Sequence, residues 1–367
     1  MFDTTGFWGI LLLFVVGLVV FYLLIDIFVF KKGSQREKKQ NILINLLLVA
    51  GLIFLLMQII HIVTFGLFLQ SIISNISAIC VLVLATTGIV LIFKTSFTTN
   101  FAQGMIATFG AYVSAKMIQN FAANNSEMSQ LLTVIYAMIG GAITAFLLGI
   151  LIDVFIIRKA KHVTSVGKQM ITMGLVLIFS GAMPLIFGIL PLEIPRFSYT
   201  ILSFHLFGYS LSIPEQAIFA LGITIVLLTT LFSALRFTKW GLGVRATASN
   251  EIVASMMGVN TRVITALSWA IAGALGGVAA VILTPSTGQI TVSLMVPTQV
   301  NGFMAAILGG FSSLLGPLLA SILIPILTGL FSFIVPLWQN AVVYIFILVI
   351  VLVKPLGLFG KRIAKKV

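Results

Sequence analysis

Residues 241–285 read GLGVRATASNEIVASMMGVNTRVITALSWAIAGALGGVAAVILTP and contain both kinds of sequence from which this chain is built. From residue 263 onward the stretch has no charged side chain and is long enough to cross a bilayer as an α-helix. Residues 241–260 are instead polar and punctuated by glycine, although their pattern still suits a helix. The stretch therefore predicts a short aqueous helix followed by a membrane-spanning helix.

The composition extends this interpretation to the whole chain. Of its 367 residues, 60% are hydrophobic and 8% are charged, and the mean hydropathy is +1.21. Soluble domains carry about 25% charged residues. Apolar runs of roughly 18 residues or more recur, whereas the short alternating segments of a membrane β-barrel do not. We therefore predict an all-α, polytopic transmembrane helical bundle.

The net charge of +13 reflects basic residues that lie between apolar runs. Together with Lys94, four clusters hold all of the basic residues except Lys116 and Arg196. The clusters are Lys31, Lys32, Arg36, Lys38 and Lys39; Arg158, Lys159, Lys161 and Lys168; Arg236, Lys239, Arg245 and Arg262; and Lys354, Lys361, Arg362, Lys365 and Lys366. Cytoplasmic loops of membrane proteins are enriched in Lys and Arg, so this charge orients the chain and does not point to a nucleic-acid partner.

Alternation from the basic loops predicts about eleven spans, with ten or twelve as alternatives, an outside N-terminus and a cytoplasmic C-terminus. The predicted spans are residues 7–30, 42–66, 70–93, 100–120, 131–157, 166–190, 216–235, 263–283, 298–311, 314–335 and 338–354. The first is expected to be a retained helix, because it lacks the basic start and the cleavage site of a signal peptide. The gap at residues 191–216 predicts a short structure outside the cell.

Two of these spans are weakly apolar or short. NFAQGMIATFGAYVSAKMIQN begins at residue 100 and NGFMAAILGGFSSLLGP begins at residue 301; both open with Asn and continue with Gly- and Ala-rich turns. Their predicted directions are opposite, as an inverted repeat requires, and such paired segments mark a transport path. Ordinary packing of small residues is the alternative. The candidate path residues are Asn100, Phe101, Gln103, Gly104, Asn301, Gly309 and Gly310.

The sequence offers no constellation for catalysis. It contains neither a G-x-x-x-x-G-K-[ST] phosphate loop nor a G-x-S-x-G turn, and no metal-ligand spacing links His61, His162 and His205. Cys80 is expected to be a core residue, because it lies alone in an apolar run. We therefore expect no catalytic residue, no metal and no cofactor, and any ATP hydrolysis should occur in a separate subunit.

Carboxylates inside membrane spans are costly and usually functional. Asp26 and Asp153 both lie close to basic residues at the predicted inner interface, where they can pair or reach the headgroups. We interpret them as structural, because an ion-coupled carrier needs a carboxylate near the membrane midplane.

The aqueous helix has two faces on a wheel of about 100° per residue. One face is apolar and holds Ala248, Ile252, Val253, Met256, Met257 and Val259. The other holds Asn250, Glu251, Ala254, Ser255 and Gly258. We expect the apolar face to rest on the membrane domain and the small ridge of Asn250, Ala254 and Gly258 to contact another protein. A helix in the headgroups is the alternative, but Lys/Arg-rich and aromatic faces are missing.

Four ordered motifs carry a resemblance to a known family. GLGVRATASNEIVASMMGVN with the span after it, TTNFAQGMIATFGAYVS, GFMAAILGGFSSLLGPLLAS and KPLGLFG resemble segments of the branched-chain amino-acid ABC importer permeases over residues 68–360. The resemblance implies ATP-binding subunits at the cytoplasmic face, a second permease subunit, an extracytoplasmic substrate-binding protein and a place in the cell membrane. It also implies that residues 241–260 couple the permease to the ATPase. The coupling residues are Gly241, Gly243, Arg245, Asn250, Glu251, Ala254 and Gly258.

The chain departs from the family in residues 1–67, which add two predicted spans, and it ends in a basic tail at residues 361–367. Permeases for sugars and nucleosides share the fold that the resemblance implies. Three functions therefore stay open: an importer subunit for branched-chain or related small amino acids or amides, the same machine for a sugar or nucleoside, and an ion-coupled secondary transporter.

Overall fold

The structure is a computed structural model that describes residues 65–124, 128–160, 162–206 and 208–360. The chain divides between Thr64 and Phe65 into two units, and the second unit is described below. The first predicted span, nearly all of the second and the basic tail lie outside the described residues.

Twelve α-helices make up most of the described chain. They are α1 (Phe65–Ser74), α2 (Ile76–Ser96), α3 (Gln103–Ala123), α4 (Gln130–Ile152), α5 (Ser165–Phe187), α6 (Glu215–Phe237), α7 (Lys239–Ser249), α8 (Glu251–Met256), α9 (Thr261–Thr287), α10 (Val296–Gly309), α11 (Leu315–Ile334) and α12 (Gln339–Val353). One π-helical turn, Asp153–Ile157, prolongs α4. Strands β1 (Ile201–Leu206) and β2 (Tyr209–Pro214) form an antiparallel hairpin.

The helices follow the apolar runs of the sequence. Within the described residues, α2, α4 with its π turn, α5, α6, α9 and α11 are long and apolar enough to cross a bilayer, and α12 is a shorter apolar helix. α3 has 21 residues but is less apolar than these, and α10 has 14. Six candidate spans thus confirm a polytopic helical protein, whereas the predicted count of eleven and the orientation stay predictions.

The core lies around α2 and α9, whose side chains are mostly buried, while α4, α5 and α6 expose long apolar faces. Close packing of α4 against α9 depends on glycine. A Cβ atom on Gly149 would overlap the backbone of Trp269, and one on Gly273 would overlap the backbone of Ala145. Small residues allow helix backbones to approach in this way inside membranes. Cys80 is buried beside this core, as expected.

Two local features depart from a plain helix bundle. α1 ends and α2 begins at Asn75, whose side-chain amide donates to the Ser71 carbonyl at 2.8 Å. The predicted span at residues 70–93 is therefore two helices. The loop at residues 191–216 contains the β-hairpin, which confirms a short structure there and adds strands to a fold predicted as all-α. Alternating side chains favour this strand pair over a helix.

Candidate functional site

The first predicted path segment lies at the start of α3, where residues 99–102 run without regular structure before the helix begins at Gln103, beside α5 and α10. The Phe101 amide donates to the Thr172 hydroxyl of α5 at 3.1 Å, and the Gln169 side chain donates to the Thr99 hydroxyl at 2.8 Å. Irregular backbone inside a membrane is tolerated where protein satisfies its polar groups. The Thr172 side chain of α5 satisfies one such backbone group here.

Two glutamine side chains also hold this segment against neighbouring helices. Gln103, which is 2% exposed, donates from Nε2 to the Ala272 carbonyl of α9 at 2.6 Å. The Asn100 amide in turn donates to Gln103 Oε1 at 3.2 Å. From α10, Gln299 accepts from the Gly104 amide at 2.6 Å and donates to the Phe101 carbonyl at 2.6 Å. We call residues 99–104 with Gln299 the amide clamp, and it joins α3, α9 and α10.

The structure brings the two predicted path segments together in part. The rings of Phe101 and Phe303 lie 5.1 Å apart, so the first half of α10 packs on the start of α3. Asn301 lies outside the amide clamp, because its Oδ1 accepts from the Tyr344 hydroxyl of α12 at 2.7 Å. Asn100, Phe101, Gln103 and Gly104 are therefore one cluster, and Asn301 is a neighbour with a different partner.

Gly309 and Gly310 lie at the other end of α10, about 12 Å along the helix axis from Asn301 at 1.5 Å per residue. A Cβ atom on Gly309 would overlap the backbone of Gly316 and Pro317 at the start of α11. Gly310 has φ +88°, a left-handed conformation that favours glycine. This pair thus forms a tight contact between helices, separate from the amide clamp.

The C-terminal motif KPLGLFG folds back onto this glycine pair. The Leu358 amide donates to the Leu308 carbonyl at 2.8 Å, and the Phe359 amide donates to the Gly309 carbonyl at 3.3 Å. The last carbonyls of a helix have no partner within the helix. The C-terminal turn supplies partners for α10, so two of the four motifs in the sequence are parts of one contact.

The predicted coupling loop is two short helices, α7 and α8, which meet at Asn250. The extended backbone of Asn250 ends α7, and its Oδ1 accepts from the amides of Ile252 and Val253 at 3.0 and 3.1 Å. Asn and Asp are favoured at this position because the side-chain oxygen satisfies first-turn amides. Gly258, with φ +85°, follows the end of α8, where a left-handed glycine commonly terminates a helix.

Three of the predicted coupling residues hold α7 against its own chain. Gly241 leaves no room for a Cβ atom beside the Leu235 backbone at the end of α6, and Gly243 packs on the Ile264 side chain of α9. The Arg245 guanidinium donates to the Leu235 carbonyl. These residues therefore fix the position of the loop.

The orientation of α8 is opposite to the predicted one. Ala254 is 5% exposed and packs toward α7 and α9, whereas Ile252 is 70% exposed and Met256 and Met257 are each 80% exposed. The prediction that the ridge of Asn250, Ala254 and Gly258 contacts a partner, with the apolar face on the membrane domain, is therefore wrong for its central residue. The methyl group of Ala254 fits a close contact that the long side chains cannot enter, and Glu251 and Asn250 lie exposed beside it.

Comparison with known proteins gives the family. Residues 71–352 match the family model described as "Branched-chain amino acid transport system / permease component". The chain belongs to this permease family. The permease is 24% identical over 304 residues to the high-affinity branched-chain amino acid transport system permease protein LivH of Salmonella typhimurium, over 82% of this chain and 98% of that protein.

Two further relatives agree with this assignment. The probable branched-chain amino acid transport permease protein LivH of Methanocaldococcus jannaschii is 29% identical over 258 residues, 69% of this chain and 77% of that protein. The permease protein BraD of Pseudomonas aeruginosa is 27% identical over 161 residues, 44% of this chain and 52% of that protein. No solved structure gives a significant match. The chain is thus a transport permease and a multi-pass inner membrane protein, which confirms the family resemblance of its motifs.

A partly buried ion pair lies near the start of α9 in the permease. Arg158 Nη2 is 3.1 Å from Asp153 Oδ2, and the same nitrogen donates to the Arg262 carbonyl at 3.0 Å. The Asp153 side chain is 3% exposed. The guanidinium therefore joins the end of α4 to the first turn of α9. The expectation that Asp153 pairs with a nearby basic residue is confirmed.

Sequence reasoning missed Gln299 of the permease's amide clamp, and it also missed Thr172 of α5, which accepts from the Phe101 amide of the clamp. Gln299 is separated by 195 residues from the amide that it accepts from. A usable signal was present, because a glutamine inside an apolar helix needs polar partners. Among the described residues, no group of three or more His, Cys, Asp or Glu side chains lies close enough to hold a metal ion.

Proposed function

We propose that this permease is the membrane-spanning subunit of an ATP-driven importer for branched-chain or related small amino acids or amides. ATP-binding subunits dock on α8, a second permease subunit completes the pore, and a substrate-binding protein delivers the substrate from outside. The observation that carries this proposal is the exposed apolar surface of α8. We call Ile252, Val253, Met256 and Met257 the docking face.

The docking face suits a protein partner better than lipid. Residues 251–258 contain no aromatic and no basic side chain, whereas helices that lie in headgroups are rich in both. Large exposed apolar groups that cluster on a short helix mark interaction surfaces, and methionine adapts to varied grooves. The basic residues on either side, Lys239, Arg245 and Arg262, favour a cytoplasmic position.

The docking face connects directly to the transmembrane core. α8 follows α7, which is fixed to the end of α6 through Gly241 and Arg245, and it leads into α9. α9 supplies the Ala272 carbonyl that Gln103 binds in the amide clamp. A rigid displacement of α8 by the ATPase therefore reaches residues 99–104 through one continuous helix. In the importer, Asn100, Phe101, Gln103 and Gly104 line the moving part of the path, with Asn301, Gly309 and Gly310 along α10.

The substrate class rests on the family description and on relatives whose names specify branched-chain amino acid transport. An importer for a sugar or nucleoside is the near alternative. Uptake into proteoliposomes that hold the permease, its ATPases and its binding protein separates the two. Radiolabelled leucine uptake should be suppressed by excess isoleucine or valine and unaffected by ribose or adenosine. Suppression by ribose or adenosine, and not by isoleucine or valine, would refute the amino-acid assignment.

The ion-coupled carrier is the alternative from another class. Among the described residues the buried carboxylate is Asp153, and it is paired with Arg158 at the end of α4. Such a carrier should show uptake driven by a proton gradient in proteoliposomes without ATPase subunits. The importer should show none, and ATP hydrolysis should appear when the cognate ATPase is added.

The docking face itself is tested with a matched pair of charge substitutions. Met256→Asp places a charge in the proposed interface, whereas Ser255→Asp places the same charge on the exposed polar side of the same helix. Loss of a central apolar anchor costs about 2 kcal/mol or more, so Met256→Asp should weaken ATPase binding by roughly 30-fold. Co-purification with the ATPase measures this effect. Equal retention by the two variants would show that α8 docks through another face.

A further inference from the structure

The β-hairpin of residues 201–214 has one apolar and one polar face. Directly opposed residues of an antiparallel pair share a face. The pairs Leu202–Ile213, Phe204–Leu211 and Leu206–Tyr209 form the first face. Ser203–Ser212 and His205–Ser210 lie on the second, which ends in the pair Ile201–Pro214 at the base of the hairpin. The whole hairpin contains no Asp, Glu, Lys or Arg. It is therefore amphipathic without carrying a formal charge.

The apolar face is covered on one strand and open on the other. Leu211 of β2 is 1% exposed and belongs to the main hydrophobic core, whereas its partner Phe204 of β1 is 38% exposed. Leu202 and Leu206 are also exposed. Leu211 and Phe204 point to the same side of the hairpin. The helix bundle covers Leu211 and leaves Phe204 exposed, so β1 extends beyond the bundle while its apolar side faces the same way as that of β2.

The hairpin is fixed at a membrane boundary. Pro214, the last residue of β2, is the N-cap of α6, a candidate membrane span. The Glu215 amide donates to the Thr200 carbonyl at 3.0 Å, so both ends of the hairpin meet where α6 begins. The Gln70 side chain pairs with both backbone groups of Ser212, which holds the outer edge of β2 against α1.

The end of α5 exposes apolar side chains, as β1 does. α5 ends on the same side of the membrane as α6 begins, because the two are consecutive candidate spans. Leu185, Ile189 and Leu190 at the end of α5 are each more than three-quarters exposed. A protein surface of this kind at the end of a span lies in the acyl chain and headgroup region.

We propose that β1 lies in the interfacial layer of the bilayer, with Leu202, Phe204 and Leu206 inserted among the lipids and with Ser203 and His205 facing water. The hairpin then holds the start of α6 at a fixed depth. This inference rests on the membrane location of the permease and is independent of its substrate and of its ATPase.

Spin labels measure the depth of each face. The chain has a single cysteine, Cys80, which is 1% exposed, so Cys80→Ala provides a background for labels at single sites. Phe204→Cys places a label on the apolar face, and Ser203→Cys is the matched control on the adjacent residue of the opposite face. Each labelled full-length chain is reconstituted alone in phosphatidylcholine vesicles, and collision with oxygen and with a water-soluble nickel chelate is compared.

Insertion predicts that oxygen collides with the label at position 204 several-fold more often than the nickel chelate does, and that the order is reversed at position 203. Preferential collision with the chelate at 204 would show an apolar face in water, free for a protein partner. Exclusion of both reagents at 204 would show that protein covers the face. Either result overturns the proposal.

Two further arms keep the test decisive. Leu206→Cys repeats the measurement one pair away, so that a local defect at Phe204 cannot decide the outcome. Replacing half of the lipid by phosphatidylglycerol should leave the ratio at position 204 unchanged, because the hairpin carries no formal charge. If oxygen collided more often than the chelate only in the presence of anionic lipid, electrostatic attraction would hold the hairpin at the membrane. That result would overturn insertion by apolar contact.

Discussion

Replacement of Arg158 by methionine should destabilise the permease more than any neutralisation of its partner. The guanidinium lies 3.1 Å from the Asp153 carboxylate, whose side chain is 3% exposed, and it also binds the Arg262 carbonyl. Removing one member of a buried pair costs about 3–5 kcal/mol, because the other charge stays desolvated. Arg158 is 28% exposed and Lys168 lines the same cleft, so the lower end, about 3 kcal/mol, applies.

Asp153→Asn should cost less, about 1–2 kcal/mol, because the amide oxygen still accepts from Arg158 and the guanidinium keeps the Arg262 carbonyl. The double variant Asp153→Asn with Arg158→Met removes both charges. It should therefore be more stable than Arg158→Met alone. Asp153→Asn should also retain substrate import, because we interpret the Asp153 carboxylate as structural.

The assay is the midpoint of thermal unfolding in detergent, followed by fluorescence-detected size exclusion, with import measured in parallel. The expected order of stability is wild type, Asp153→Asn, the double variant and Arg158→Met. A double variant that lost as much stability as the two single variants together would refute the argument. That result would show that the Asp153 carboxylate is not destabilising when Arg158 is removed. Loss of import with Asp153→Asn at normal stability would support the ion-coupled carrier instead.

Further predictions follow from the glycine contacts and from the proposal that a separate subunit hydrolyses ATP. Gly104→Leu should impair import while the ATPase stays bound, because a side chain there displaces Gln299 from the amide clamp; normal uptake would show that this contact is dispensable. Gly310→Leu should do the same through its left-handed backbone and its contact with the C-terminal turn, measured by the same uptake and co-purification assays. Gly241→Ala should lower thermal stability by about 1–3 kcal/mol, since its Cβ atom overlaps the Leu235 backbone, and an unchanged unfolding midpoint would contradict that geometry. The purified permease alone should not hydrolyse ATP, and robust phosphate release without an ATPase subunit would exclude the importer.

Helix positions were predictable because apolar run length reports directly on membrane spans. The predicted span at residues 131–157 corresponds to α4 with its π turn, which ends at Ile157, and the span at 216–235 corresponds to α6. The hairpin was not predicted, because its two strands are short and lie in a loop that is itself rich in apolar residues. Hydrophobicity could not separate strand from external coil there.

Contacts between helices were less predictable than the helices themselves. A helical wheel correctly grouped Ile252, Met256 and Met257 on one face of α8 and Ala254 on the other. It could not say which face has protein beneath it, because that depends on how α7 and α9 are placed. Gln299 was missed for a related reason, since its partners at residues 101 and 104 are brought close only by tertiary folding.

The C-terminal turn that closes α10 has a consequence for the order in which the permease is built. Its amides, from Leu358 and Phe359, meet carbonyls of Leu308 and Gly309, about 50 residues earlier in the chain. Because a ribosome makes the N-terminal part first, α10 and α11 enter the membrane before their closing partners exist. Assembly of this corner is therefore completed only after residues 358 and 359 have been made. Translation stalled before residue 356 should leave the junction at residues 309–316 open to thiol reagents in cysteine variants, and translation of the full sequence should protect it.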